Sequence, residues 1–212
     1  MNEMIKWRYR KIVEDMAAVM TRIGYIVHPA DDAEEAKRLL YPLIPEGSAV
    51  GLGGSTTLAD LAVPETLRAG PWKLIDRYRT SSWEETMQRY REALDADVFV
   101  TGTNAITRAG QLVDMDSSGN RVAATIFGPR RVIVVAGANK VVENLDAAFA
   151  RIRDIAPMNC RRLGHRTPCA ESGLCEDCMI PDRMCNYVGI VNHGMKEPGR
   201  FHVILIAEEL GF

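Results

Sequence analysis

The sequence has little of what marks a membrane-spanning, secreted or nucleic-acid-binding protein. Its formal net charge is −2 and its pI is near 6.1, so it lacks the basic surplus that neutralises phosphates in a nucleic-acid binder. Its longest apolar runs, such as 132–136 and 203–207, are far too short to span a bilayer. No apolar signal core follows the charged N-terminal stretch 1–10. We therefore expect a cytoplasmic protein with no nucleic-acid partner and no membrane partner.

Cysteine is absent before residue 160, and all five cysteines crowd into 160–185. Disulfides of secreted proteins usually tie distant segments together, whereas local clustering in a cytosolic chain points to a metal. The central Cys-x2-Cys spacing lets two sulfurs reach one metal from a single turn, and a metal would order a segment with little apolar content. Four thiolates suit tetrahedral zinc and a 4Fe–4S iron–sulfur cluster equally well. The predicted metal ligands are Cys169, Cys175, Cys178 and Cys185.

Two alternatives to a metal remain for these four cysteines, namely reduced thiols or two local disulfides. Cys160 is the odd one out and is predicted to be a packing residue. Pro168, Gly173 and Pro181 are expected to keep the surrounding segment out of helix and strand. We therefore predict a cysteine-rich loop over about 158–186.

Apolar strands alternate with helical patterns along the rest of the chain. This order predicts an α/β fold with a mainly parallel sheet that is flanked by helices on both faces. There is no internal repeat and no low-complexity linker, so residues 1–212 are predicted to be a single domain that contains the cysteine-rich loop. The predicted strands are 25–27, 48–52, 72–76, 97–101, 132–136, 187–191 and 201–207, and 111–114 is predicted to be short and extended. The predicted helices are 5–23, 33–40, 57–62, 82–94, 121–127 and 145–155. Asp32 with Glu35 and Ser82 with Glu85 have the capping-box spacing that marks a helix start.

A glycine-rich stretch, 51–57, lies between a predicted strand and a predicted helix. Glycines let the backbone come close to a ligand, free N–H groups at a helix start attract an anion, and hydroxyls add donors. The stretch matches neither the dinucleotide fingerprint nor the P-loop, and a plain strand-to-helix turn is the alternative. The candidate anion-binding residues are Gly53, Gly54, Ser55 and Thr56.

Polar side chains follow two other buried strands, where ligands of open α/β sheets bind. Asp114 and Asp116 are candidates for a catalytic acid or base. Local turn formation is the alternative for Asp116 and Asn120, and a solvated amine is the alternative for Lys140. The four histidines are interpreted as structural. The further candidate ligand-binding residues are Asn104, Thr107, Asn120 and Lys140.

Three stretches together resemble the LUD-domain (lactate utilization) family, formerly a domain of unknown function. They are 50–55, 101–107 running on to 119–124, and 128–140. The segment 167–186 is similar to the small cysteine-bearing branch of that family. The resemblance implies a fold like that of the ribose-phosphate isomerase and CoA-transferase superfamily, and a role in bacterial lactate use. Some members work as a subunit of an iron–sulfur lactate-oxidizing complex.

Three functions are compatible with these observations. The first is a redox-associated subunit that binds a small anionic metabolite and a four-cysteine metal or iron–sulfur centre. It would act with redox partner subunits, because the chain shows no flavin or nicotinamide fingerprint. The second is a free-standing isomerase- or transferase-like enzyme on a phosphorylated or carboxylated small molecule. The third is a non-catalytic, zinc-stabilised binding module. A homo-oligomer is compatible with each, and the sequence does not decide whether the chain is an enzyme.

Overall fold

The computed structural model describes residues 2–212, so Met1, the first residue of the predicted domain, lies outside the described residues. The helices are α1 (Glu3–Arg22), α2 (Ala33–Leu40), α3 (Thr56–Asp60), α4 (Val63–Ala69), α5 (Trp83–Glu92), α6 (Asn120–Phe127), α7 (Leu145–Arg162) and α8 (Pro168–Ser172). The strands are β1 (Ile26–Ala30), β2 (Ala49–Leu52), β3 (Lys73–Ile75), β4 (Val98–Thr101), β5 (Ala105–Thr107), β6 (Leu112–Asp116), β7 (Arg131–Gly137), β8 (Val141–Val142), β9 (Tyr187–Val191) and β10 (Phe201–Ile206).

The main sheet has six strands in the order β1-β10-β7-β4-β2-β3, and every neighbouring pair is parallel. Helices cover both faces, and the alternation of side chains along β7 shows how. Val132 and Val134 belong to one buried cluster, to which α1 contributes Met16. Ile133 belongs to the opposite cluster, to which α2 contributes Leu40. Because both faces are buried, the strands read as continuous apolar runs, and the predicted fold class is confirmed.

A second, smaller sheet was not predicted. It has the order β8-β5-β6-β9, in which β5 pairs antiparallel with β6 and β6 pairs antiparallel with β9. The apolar stretch Tyr187–Val191, predicted as a strand, therefore lies in this sheet and not in the main one. The second sheet packs on α7 through Ala105, Val113, Ala148 and Ile152. This packing places α7 beside the carboxyl end of β4.

The cysteine-rich segment is more ordered than predicted. Helix α7 continues past residue 155 to Arg162 and contains Pro157, while Pro168 occupies the first turn of α8. Proline is tolerated in a first turn because the N–H group it lacks would have no helical partner there. The same argument applies to Pro64 in the first turn of α4, a helix that was not predicted. The expectation that Pro168 keeps its segment out of a helix was wrong.

The N-caps that the capping-box spacing predicts at the starts of α2 and α5 are confirmed. The Glu35 N–H group donates to Asp32 Oδ1 at 2.8 Å, and the Glu85 N–H group donates to Ser82 Oγ at 3.2 Å. These bonds satisfy N–H groups that a helix start leaves without partners. None of the helices within residues 2–212 combines the length and the apolar character needed to cross a membrane.

Candidate functional site

A cavity of about 320 Å³ lies at the carboxyl ends of β2, β4 and β7, and α6 and α7 close its sides. This is the edge at which parallel α/β sheets bind ligands. Six of the predicted binding residues line it: Gly54, Ser55, Thr56, Asn104, Asn120 and Lys140. Gly53 and Thr107 do not line it. The topology therefore brings the glycine-rich stretch 51–57, the polar residues Asn104 and Asn120, and Lys140 to one place.

The glycine-rich stretch contributes less to an anion site than its sequence suggests. The Gly53 N–H group donates to Val100 O at 2.9 Å, so it is not available to a ligand. A Cβ atom at this position would overlap the side chain of Thr101, so glycine here permits close packing. Ser55 caps α3 by accepting from the Leu58 N–H group at 3.3 Å. Because α3 has only five residues, its dipole is small, and side chains must supply the cavity's charge.

Arg121 is held rigidly at the cavity wall by a buried polar network. Its Nη1 lies 3.4 Å from Asp114 Oδ1, and its Nη2 donates to Asn104 Oδ1 at 2.7 Å and to Met115 O at 2.8 Å. The Asn104 N–H group donates to Asp114 Oδ1 at 3.1 Å. Burial raises the pKa of Asp114, while the charge of Arg121 opposes the rise. Asp114 does not line the cavity, so its position suits it to holding Arg121 and Asn104.

Asp116, the other candidate acid or base, lines the cavity but is engaged by the backbone. Its Oδ1 accepts from the Gly119 N–H group at 2.5 Å, and its Oδ2 accepts from the Val122 N–H group at 2.9 Å. These bonds fix the turn into α6. Thr107 lies within the hairpin between β5 and β6, where its Oγ1 accepts from the Gln111 N–H group at 3.2 Å. Both residues thus make the local turn contacts that Asp and Thr commonly make.

Lys140 is the most unusual group at the site. It lines the cavity although only 2% of the residue is exposed, and its Nζ donates to Thr57 Oγ1 at 2.8 Å. Among residues 2–212, no carboxylate forms an ion pair with this amine. Burial lowers its pKa to about 7, and the neighbouring charges of Arg151 and Arg121 act in the same direction. The cavity therefore contains a buried amine that is close to losing its proton at neutral pH.

Sequence reasoning missed the cationic and aromatic residues on the outer side of the cavity. Arg77 lies over the ring of Tyr90 at 4.6 Å and donates to its hydroxyl at 2.6 Å. Arg162 and His165 line the same cavity, at the end of α7 and in the turn beyond it. From the sequence, His165 was interpreted as a structural residue, so its position at the site was not predicted. Of these residues only Arg121, which directly follows the candidate Asn120 in sequence, could have been noticed beforehand. Tertiary packing alone brings the others to the cavity.

Among the cysteines of the cysteine-rich segment, Cys185 lines this cavity. Arg183 organises the segment by donating to Cys178 O at 2.6 Å and to Cys185 O at 2.9 Å. The pKa of Cys185 is raised by burial and by the thiols of Cys175, Cys169 and Cys178. The other three predicted ligands therefore lie close enough to Cys185 to act on its thiol. Across residues 2–212, no three or more His, Cys, Asp or Glu side chains lie in an arrangement that would hold a metal ion.

All five cysteines are free, so local disulfides are absent from the described chain. Cys160 lies inside α7, is 1% exposed and packs with Cys169, Ala170 and Met184. Burial raises the pKa of its thiol to about 11. This environment agrees with the prediction that Cys160 is a packing residue, although the sequence placed it beyond the helix.

Comparison with known proteins relates most of the chain to one family. The family model for the LUD domain matches residues 13–206, and no curated protein matches. A crystal structure of a DUF162 family protein from Deinococcus radiodurans is similar, with a TM-score of 0.54 at 14% identity over 93% of this chain and 98% of that one. At this identity the likeness concerns the fold alone.

Two weaker likenesses cover about half of each chain. One is to eIF2B delta from Chaetomium thermophilum, with a TM-score of 0.37 at 17% identity over 55% of this chain and 50% of that one. The other is to ribose 5-phosphate isomerase A from Neisseria gonorrhoeae, with a TM-score of 0.33 at 18% identity over 52% of each chain.

Proposed function

The chain belongs to the LUD-domain family, and we propose that its cavity binds a small anionic metabolite, a carboxylate or a phosphate ester. The observation that carries the proposal is the charge of the lining. Three guanidinium groups, those of Arg77, Arg121 and Arg162, face the cavity, and the only side-chain carboxylate that lines it is Asp116. Both oxygens of that carboxylate are occupied by N–H groups of the α6 turn. Asp114, which does not line the cavity, pairs with Arg121, so the charge that an anion would meet comes mainly from Arg77 and Arg162.

The metabolite that we propose to test first is a hydroxy acid such as lactate. The family resemblance supports this choice, and so does the position of Cys185, because a molecule in the cavity would lie beside the cysteine-rich segment. Removal of a hydride or of electrons from a hydroxy acid needs a cofactor. In this proposal the cofactor belongs to the four-cysteine centre or to redox partner subunits in the cytoplasm, where thiols stay reduced.

The four-cysteine centre itself is a second proposal, supported by the effect of the other three thiols on the pKa of Cys185. The donor set suits zinc or a 4Fe–4S cluster, and Arg183 already holds the carbonyls of Cys178 and Cys185. Cys175 is exposed, so it could move toward the other sulfurs when a metal binds. A bound 4Fe–4S cluster would supply one-electron transfer, whereas zinc would supply order to the segment.

Anion binding is tested by calorimetry and thermal unfolding with lactate and with inorganic phosphate. We expect one of these anions to raise the melting temperature, because a ligand that binds only the folded state stabilises it. Arg162→Met should weaken binding by about 10- to 100-fold, since a hydrogen bond to a charged group contributes about 1.5–3 kcal/mol. Arg130→Met is the matched control, because Arg130 lies outside this cavity. If neither anion binds, the proposal loses its basis.

The proposal of a four-cysteine centre is tested by anaerobic purification followed by iron, acid-labile sulfide and zinc analysis. A brown protein with iron and sulfide supports the redox subunit, whereas one zinc per chain in a colourless protein supports the structural module. Cys175→Ser should lower metal content and melting temperature together, because the order of the segment would depend on the metal. Cys160→Ala should retain the metal. Unchanged metal content in Cys175→Ser would contradict the assignment.

A further inference from the structure

We propose that Lys140 is an amine nucleophile that forms an imine with an aldehyde or ketone carrying an anionic group. The inference rests on the proposed function, because the same cavity must hold the anion. It adds a reaction and a substrate class that anion binding alone does not imply. Amines of this kind are activated by burial away from water and by neighbouring cationic groups.

The hydrogen bonds around Lys140 leave its reactive electron pair available. Thr57 Oγ1 donates its own proton to Leu210 O at 3.1 Å. Thr57 must therefore accept from Lys140, across the 2.8 Å contact between Oγ1 and Nζ. A neutral amine that donates to Thr57 keeps its lone pair for another group. Because Lys140 lines the cavity, a bound molecule can supply that group.

The charges around Lys140 favour its neutral form. Arg151 is held in place by the hydrogen bond that its Nη1 donates to Asn104 O at 2.8 Å. Arg121 lines the same cavity as Lys140. The charges of both guanidinium groups lower the pKa of the Lys140 amine. Asp114 and Asp60 raise it, but they do not offset burial and the two guanidinium groups. The result, a pKa of about 7, leaves a substantial neutral fraction at physiological pH. An ordinary lysine is almost entirely protonated there.

The reaction needs no oxidant and no further reactant. The lone pair of Nζ attacks the carbonyl carbon, a C–N bond forms, and the carbonyl π electrons move to oxygen. The C–O bond of this carbinolamine then breaks, and the oxygen leaves as water with the two protons of the amine. One C=N bond therefore replaces one C=O bond. Arg77, Arg121 and Arg162 face the same cavity and could hold the anionic group of the substrate.

Reductive trapping tests the inference directly. The whole protein is incubated at pH 7 with pyruvate, glyoxylate or glyceraldehyde 3-phosphate and sodium cyanoborohydride, and its mass is measured before and after proteolysis. Reduction of an imine adds the mass of the carbonyl compound less one oxygen atom. We expect at least one compound to label the peptide that contains Lys140. The other lysines are exposed or half-buried (Lys6, Lys11, Lys37, Lys73 and Lys196), so their amines should react far less at this pH.

Variants and binding data separate this inference from anion binding. Lys140→Met and Lys140→Arg should both lose the label, whereas Lys73→Met, at an exposed position, should keep it. Because the wild-type peptide map locates the label by itself, the test stands even if a variant fails to fold. Labelling spread over the exposed lysines, or none at Lys140, overturns the inference. If lactate or phosphate still binds in that case, anion binding stands without the imine; if neither binds, both fall.

Discussion

Arg121 and Lys140 are two buried cations that line one cavity in opposite surroundings. Arg121 is 8% exposed and has a carboxylate 3.4 Å away, in Asp114, together with acceptors from Asn104 and Met115. Lys140 is 2% exposed, and its amine donates to a single hydroxyl, on Thr57. The same cavity therefore holds one cation whose charge is matched and one whose charge is not.

The difference separates a framework group from a reactive one. A buried charge must be paired and hydrogen-bonded, or else it gives up its charge through a shifted pKa. Arg121 is paired and hydrogen-bonded, so it keeps its charge and holds its guanidinium in a defined position. Lys140 has no ionic partner, and its pKa falls to about 7. A site that binds an anion and also uses a neutral amine needs one basic group that keeps its charge and one that loses it. Two buried basic residues can meet both needs only if their surroundings differ in this way.

Replacement of each cation by methionine should give the largest contrast. Arg121→Met leaves Asp114 buried without its partner, and breaking a buried pair costs about 3–5 kcal/mol. Lys140→Met removes a charge that has no ionic partner, so it should leave stability unchanged or raise it. The free energy of unfolding, measured in urea at pH 7, checks both values. A loss in Lys140→Met as large as that in Arg121→Met would end the distinction between the two groups.

The pH dependence of stability should show the next largest effect. Lys140 has a pKa of about 7 in the folded chain and an ordinary value near 10.4 when unfolded. Between these values the unfolded chain binds more protons, so the free energy of unfolding rises with pH. The penalty of the buried charge is fully present below pH 7 and is relieved as pH rises toward 10.4, by on the order of a few kcal/mol. Wild type and Lys140→Met should therefore differ most below pH 7. Parallel curves for the two proteins would show that the amine keeps its charge.

The main sheet was predictable because its strands are buried on both faces. Such strands read as continuous apolar runs, as in Val132–Ala136 of β7, and the capping boxes at Asp32 and Ser82 marked two helix starts. The second sheet as a whole was not predictable, although 111–114 and 187–191 were predicted to be extended, because β5 and β8 have only three and two residues. Runs that short show no periodicity. The position of Pro168 in a first helical turn likewise depends on context that the residue type does not reveal.

At the site, sequence reasoning found residues whose place follows from strand ends. Asn104 and Lys140 come after β4 and β7, and parallel strands end at a common edge. Arg77 and Arg162 come from a loop and a helix end that only tertiary packing brings to the cavity. The sequence also could not show which glycine permits close packing and which lines the cavity. Gly53 packs against Thr101, whereas Gly54 lines the cavity.

The smallest predicted effect concerns the one hydrogen bond of Lys140. Thr57→Val removes the hydroxyl at nearly constant volume, so the coupling between positions 57 and 140 can be measured in a double-mutant cycle with Lys140→Met. We expect a coupling free energy of about 1 kcal/mol, the usual net contribution of a hydrogen bond. The matched cycle of Asp114→Asn with Arg121→Met should give a larger value, because both partners are charged and buried. Equal couplings in the two cycles would mean that Lys140 is charged and held as firmly as Arg121, and the amine would then have no special reactivity.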